Sequence, residues 1–204
     1  MPNISPKSFT IALAIALGWV VLLSPKHANA QECAEAEAWV KAHAGRLPSD
    51  YEDFSRHSMA YRKAIFAALP PETQSSLWRQ HFEHYLESHP KLSESQVEFI
   101  QELIELSAPS LFMKAANATS PKGPDLTKQK EAATKLFGPT ETTLLLATLG
   151  PQEQLAGNKA NCECNIVEDF CPPLTFCTRG TSCTVVFTGC GAVWLQPCNG
   201  DCMY

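Results

Sequence analysis

Cysteine carries the chemistry of this chain. Eight of its nine cysteines (Cys162, Cys164, Cys171, Cys177, Cys183, Cys190, Cys198 and Cys202) lie in the last 43 of 204 residues. Clustered cysteines either ligate a metal as thiolates or oxidise to disulfides. Zinc modules use paired C-x2-4-C knuckles, often with histidine. Residues 160–204 hold no histidine, and only Cys162/Cys164 and Cys198/Cys202 are close pairs. Disulfides are therefore expected, and metal is not. A 45-residue segment encloses little core by itself, and four bridges at about 2–4 kcal/mol each would offset that deficit. About a hundred pairings of eight cysteines are possible, and spacing does not choose among them. Cys33 is the odd one, either a thiol or half of an intermolecular bridge.

Other reactive side chains are sparse. His81, His84 and His89 share a segment with Glu83 and Glu87. His81 and His84, three residues apart, could share a metal, but no HExxH arrangement accompanies them. They read as polar side chains flanking an apolar stripe. There is no G-x-S-x-G elbow, phosphate loop or dinucleotide fingerprint. No catalytic residue and no cofactor are assigned, and a non-enzymatic protein is expected.

The elements that must carry the cysteine segment are helical. Apolar residues at a 3.6-residue period predict helices over Glu32–Ala44, Ser55–Leu69, Pro71–His89, Lys128–Phe137 and Glu141–Leu149. Another is expected to start at the capping box Ser93-Glu94-Ser95-Gln96 and to be interrupted by Pro109. Residues 118–125 read as a polar loop. Residues 150–159 (GPQEQLAGNK) read as an exposed linker, where proteolytic nicking concentrates. Beyond it, Phe176–Gly180 and Ser182–Thr188 are β-prone runs predicted to form a short hairpin turning near Arg179-Gly180. The expected fold is an all-α, bundle-like region over 31–149, followed by a small disulfide-rich module with a hairpin over 160–204.

Residues 1–30 read as a secretory signal. Phe9–Leu23 is an uncharged apolar run of fifteen residues, and Ala28-Asn29-Ala30 is the small-x-small pattern cut by signal peptidase. Such a run is short of the roughly 20 residues a spanning helix needs, so cleavage after Ala30 is expected. An oxidising, extracellular destination follows, where disulfides persist. After Ala30 the formal charge is −7, and within 160–204 it is −3, with Arg179 the segment's one cation. Neither part offers the positive field that nucleic-acid binding requires.

The residues of the tail also carry a resemblance. From Ala160 the sequence runs A-N-C-x-C, then DFCPPLTFCTRGTSC over Asp169–Cys183, then T-G-C-G and finally C-N-G. This pattern resembles the fulvocin C-related bacteriocins. The resemblance covers the last 45 residues, under a quarter of the chain. It implies a precursor: signal, helical pro-region, and a secreted bactericidal peptide released by a processing protease near Lys159–Ala160. Cys198 and Cys202 sit further towards the C-terminus than in the family pattern, so the last bridge is not carried over.

The expected partner is the envelope of susceptible bacteria, met by binding rather than catalysis. Phe170, Phe176, Val185, Val186, Phe187, Trp194 and Leu195 are more apolar side chains than 45 residues readily enclose. Some are expected at the surface, with Val185, Val186, Phe187 and Trp194 as the target contacts; the alternative is that they pack against the disulfides. The competing expectation is a non-toxic extracellular protein whose tail is a permanent adhesion or inhibitor module.

Overall fold

The computed structural model describes residues 28–116, 124–152, 162–179 and 183–203. Within them, eight helices precede four short strands. The helices are α1 (Ala28–Ala42), α2 (Tyr51–Ser55), α3 (Met59–Ala68), α4 (Pro71–Ser88), α5 (Glu94–Leu106), α6 (Pro109–Ala116), α7 (Thr127–Phe137) and α8 (Pro139–Ala147). The strands are β1 (Phe176–Arg179), β2 (Val186–Cys190), β3 (Gln196–Cys198) and β4 (Gly200–Met203), with a 3-10 turn over Ala192–Trp194 between β2 and β3.

Local chemistry sets the helix starts. Asp50 accepts from the Asp53 N–H at α2. The capping box at Ser93 and Gln96 is present in full at α5, satisfying two N–H groups that a helix start leaves unpaired. Pro71 and Pro139 open α4 and α8 from the first turn, where proline costs no hydrogen bond. Two expectations need correction. The single helix over Ser55–Leu69 is two, broken at residues 56–58, because α3 starts afresh after an extended Ser58. Pro109 does not merely interrupt the helix before it; it begins α6. The segment expected as the first helix reaches back to Ala28, so Ala30 lies in the first turn of α1.

Helix α4 is the hub, packing against α2, α5, α6 and α8, while α1 lies on α3 and α7 bridges α5 and α8. Its stripe buries Leu77, Trp78 and Phe82 against Phe54, Phe66, Ile100, Leu145 and Leu146. That same core continues without a break into Ala192, Val193, Trp194 and Leu195 of the tail. The helical region and the cysteine-rich module thus share one apolar interior.

A buried polar side chain ties this interior together. Arg62 is fully buried and donates to the carbonyls of Thr148 and Leu149 at 2.8 Å each, and of Pro151 at 2.7 Å. Those are acceptors that the C-terminal end of α8 cannot satisfy itself. Gly150, expected in an exposed linker, is instead buried beneath this guanidinium. Its φ of +127° and the closeness of Arg62 Nη1 leave no room for a Cβ. Residues 153–159 of the expected linker lie outside the described residues.

The strands pair differently from the expected hairpin. β1 pairs antiparallel with β4, placing Phe176 opposite Met203 and Cys177 opposite Cys202. β2 pairs with β3, through the turn at 191–195. The hairpin is therefore β2–β3, and the strands flanking Arg179-Gly180 are not partners. Residues 180–182, the expected turn, lie outside the described residues.

His81 is buried between Tyr51 and α8. Its Nε2 faces the Leu144 carbonyl at 3.2 Å and its Nδ1 faces the Tyr51 hydroxyl at 3.1 Å. A carbonyl only accepts, so Nε2 carries the proton and Nδ1 accepts from Tyr51. Burial pushes the imidazole pKa down to about 4. The unfolded chain therefore takes up a proton at His81 near pH 6.5 that the folded chain refuses until about pH 4. The contribution of His81 is complete above pH 6.5 and is lost progressively as pH falls towards 4, by about 3 kcal/mol. Urea unfolding at pH 7 and pH 4.5 should show this loss, and His81→Gln should flatten it.

Candidate functional site

The module begins with its cross-links. Cys162 pairs with Cys183, Cys164 with Cys177, Cys171 with Cys202, and Cys190 with Cys198. All four bridges close within residues 162–202. Cys198 and Cys202 are both bridged, to Cys190 and Cys171. The closest sulfur grouping, Cys164, Cys171 and Cys202, draws on two different bridges, so these atoms are not thiolates for a metal. Cys33 lies half-buried on α1, outside the four bridges.

Backbone and side-chain hydrogen bonds complete the frame. The Asp169 carboxylate accepts from the N–H groups of Cys171 and Cys177 at 2.7 and 2.8 Å. The Asn165 carbonyl oxygen accepts from Val167 and Glu168, and its amide donates to the Pro197 carbonyl. An N–H accounted for in this way keeps a small module from leaving buried donors unpaired.

The inner face of the module is seated on the helices by Trp194, which is 1% exposed. Its indole meets Phe66 and Trp78 edge-on, with ring centroids 5.4 and 5.8 Å away, and lies 6.5 Å from Phe54. Edge-to-face packing sets the positive ring edge against a negative π-face. The indole N–H donates to the Ala147 carbonyl at 2.8 Å, at the last turn of α8. Val193 and Trp194 hold φ values of +46° and +58°, a left-handed conformation that costs about 1–3 kcal/mol per residue and persists only where the surroundings enforce it. Burial of the indole enforces it here. Trp194 was expected at the surface; the structure corrects that, because the helical core supplies the apolar partners that the module lacks.

A buried carboxylate finishes the seat. Glu168 is 1% exposed. Its Oε1 accepts from the Leu126 N–H at 2.9 Å and from the Gln196 amide at 3.1 Å, and its Oε2 accepts from the Ala192 N–H at 2.8 Å. The Gln196 amide also donates to the Pro124 carbonyl at 2.8 Å. Gly191 makes the approach possible: a Cβ there would lie 2.7 Å from Glu168 Oε2 and closer still to Gln196. Lys130 of α7 donates to the Asp169 carbonyl and sits 5.0 Å from the Phe170 ring centre. Glu168 and Gln196 are seating positions that sequence reasoning missed. Nothing in the sequence separates Glu168 from its acidic neighbour Asp169 or marks Gln196.

The outer face is different. Among the described residues, the exposed large hydrophobic side chains are Met113, Ile166, Val167, Leu174, Phe176, Val185 and Met203. Every one except Met113 belongs to the module. Phe176 and Met203 are direct cross-strand partners, 55% and 53% exposed, and Leu174 is 93% exposed. Of the expected contacts, Val185 is 47% exposed. Val186 is half-buried against the Cys162, Cys190 and Cys198 cluster, and the Phe187 side chain lies outside the described residues. Lys159 and Ala160, the expected cut, also lie outside them. His84 is exposed and His89 stacks on Tyr85 at 4.0 Å; His81 and His84 both lie against the Tyr51 ring, at 5.6 and 5.5 Å, and the His81 nitrogens are turned to Tyr51 and Leu144.

The chain is thus a helical domain carrying a four-disulfide module. No family model and no solved structure matches it. It is similar to bacteriocin fulvocin-C of Myxococcus fulvus, 54% identical over 43 residues, which are 21% of this chain and 96% of that protein. The matched region is the C-terminal one, and through it the chain belongs to the fulvocin-C family. No helix among the described residues is long and apolar enough to cross a membrane.

Removing the seat should be costly. Trp194→Ala is expected to destabilise the intact chain by about 3–5 kcal/mol, read as a lower urea midpoint with all four bridges still formed by peptide mapping. A loss below about 1 kcal/mol would mean that the indole is not part of the core.

Proposed function

We propose that the chain is a secreted bacteriocin precursor. Residues 1–30 direct export and are removed after Ala30. Residues 31–149 form the pro-region, and residues 150–159 carry the processing site, cut near Lys159–Ala160. Residues 160–204 are the bactericidal peptide, which acts at the envelope of susceptible bacteria by binding rather than by catalysis. The observation that carries this reading is the extent of the match, nearly the whole of bacteriocin fulvocin-C against the module alone. The bridges support it, because all four close within 162–202, so one cut in the linker severs the last covalent tie to the helices. Charge supports a non-nucleic-acid target, since the tail carries −3. A binding role is supported by the exposed apolar side chains of the module, among them the cross-strand pair Phe176 and Met203, as exposed apolar patches mark interaction sites.

The seat of Trp194 favours a second reading, a permanent extracellular module for adhesion or inhibition that is never detached. Mass spectrometry of culture fluid separates the two. The precursor reading expects a fragment of about 45 residues with its bridges intact; a 174-residue chain alone supports the permanent module. The isolated fragment is expected to inhibit growth of susceptible bacteria, and its inactivity across a broad indicator panel would remove the bactericidal assignment.

The outer face provides a separate check. Leu174→Ser and Phe176→Ser, both exposed, should leave the bridges intact and lower killing by about tenfold each, as expected when an apolar contact worth about 1.5 kcal/mol is lost. Unchanged killing by both variants would place target contact elsewhere.

A further inference from the structure

The helical region does more than precede the module in sequence: it offers a shaped receptor for the module's inner face. We infer that cutting the linker does not separate the two parts, and that residues 31–152 hold the cleaved module as a non-covalent complex. The biological use of that complex rests on the precursor reading above; the complex itself does not.

Three features of the seat argue for persistence. The first is its depth, since Ala192, Val193, Trp194 and Leu195 are part of the same buried cluster as Phe54, Phe66, Trp78, Leu145 and Leu146. A surface-laid peptide would leave these side chains half exposed. The second is polar completeness across the junction. The Trp194 indole N–H and the Gln196 amide donate to the Ala147 and Pro124 carbonyls, and Glu168 accepts from the Leu126 N–H. Lys130 donates to the Asp169 carbonyl. Separation would strip these partners from groups that are mostly buried, whereas the complex leaves them satisfied. The third is that the receptor side is braced by contacts of its own, made without the module. The rings around the indole lie on α2, α3 and α4, and Arg62 braces the α8 end through Thr148 and Leu149, next to the carbonyl that receives it. A preorganised site loses less entropy on binding.

The seat covers the inner face and leaves Leu174, Phe176 and Met203 open. A cleaved but seated module therefore displays these outward side chains and keeps Ala192, Val193, Trp194 and Leu195 covered. Full release requires a second event that withdraws Trp194 from its cage. The helical region thereby acts as a dedicated partner that restrains the cut peptide, and any inhibitor built from it would recognise the Ala192–Gln196 loop.

The test uses the full chain. A recognition sequence for a site-specific protease is inserted between Gly157 and Asn158, and the folded, oxidised protein is cut and passed over a size-exclusion column at about 1 μM without reductant or denaturant. One peak containing both fragments is expected, resolving into two only in denaturant. Two separate peaks from the cut wild-type protein would overturn the inference. Trp194→Phe, which deletes the indole N–H, and Glu168→Gln, which sets an NH2 against N–H donors, should each weaken the complex by about 30-fold, the scale of a hot-spot substitution. Each is first checked for unaltered bridges and helicity in the uncut chain. Co-elution as tight as wild type in both folded variants would overturn the assignment of the seat, and if neither variant folds the wild-type elution alone decides. Killing is scored separately: co-elution without toxicity of the released fragment sinks the precursor reading and leaves the complex standing.

Discussion

The burial of one indole organises this protein. The cysteine-rich module has its shape from covalent cross-links, but cross-links do not remove apolar surface from water. Trp194 finds its partners on three helices, and its N–H finds an acceptor at the end of a fourth, Ala147 of α8. The left-handed backbone at Val193 and Trp194 is tolerable because the indole has nowhere comparable to go within the module. Gly191 and the tight β2–β3 connection are the local means of turning that side chain inward.

Two kinds of stabilisation are divided between the two parts of the chain. The helices rely on area: Trp78, Phe82, Phe66 and Leu145 are wholly buried around α4. The module relies on bridges that constrain its unfolded state and on carboxylates that absorb backbone donors. Asp169 serves that purpose internally, taking N–H groups from Cys171 and Cys177. Glu168, one residue earlier, serves it across the junction, joining Leu126, Ala192 and Gln196 in a single buried cluster. The adjacent acids thus differ in reach: the Asp169 carboxylate bonds within the module, while Glu168 bonds both within it and across to Leu126.

This arrangement bears on how a bacteriocin-like module can be carried safely. No bridge couples the module to the helices, so their union is reversible in principle, yet it is built with the depth of a domain core rather than of a transient contact. The outward side chains Leu174, Phe176 and Met203 remain free to meet a partner while the inward loop does not. Under the proposed precursor reading, a cut in the linker and separation of the two parts would be distinct steps.

Much of the fold was legible in the residues themselves. The 3.6-residue stripe of Leu77, Trp78, Phe82 and Tyr85 marked α4, and Ser93 with Gln96 marked the start of α5, because both signals are local in the chain. The break at 56–58 was not legible, since no proline or glycine announces it. Pro109 was read as a stop when it is also a good first residue of α6. The density and spacing of cysteine determined that residues 160–204 form a disulfide module, and the run Asp169–Cys183 determined its family. Tertiary structure alone decided which sulfurs pair, that β1 joins β4 instead of β2, and that Trp194 and Glu168 turn inward. Those outcomes depend on groups far apart in sequence, Trp78 with Trp194 and Leu126 with Glu168, and neither periodicity nor spacing encodes which surface a side chain will meet.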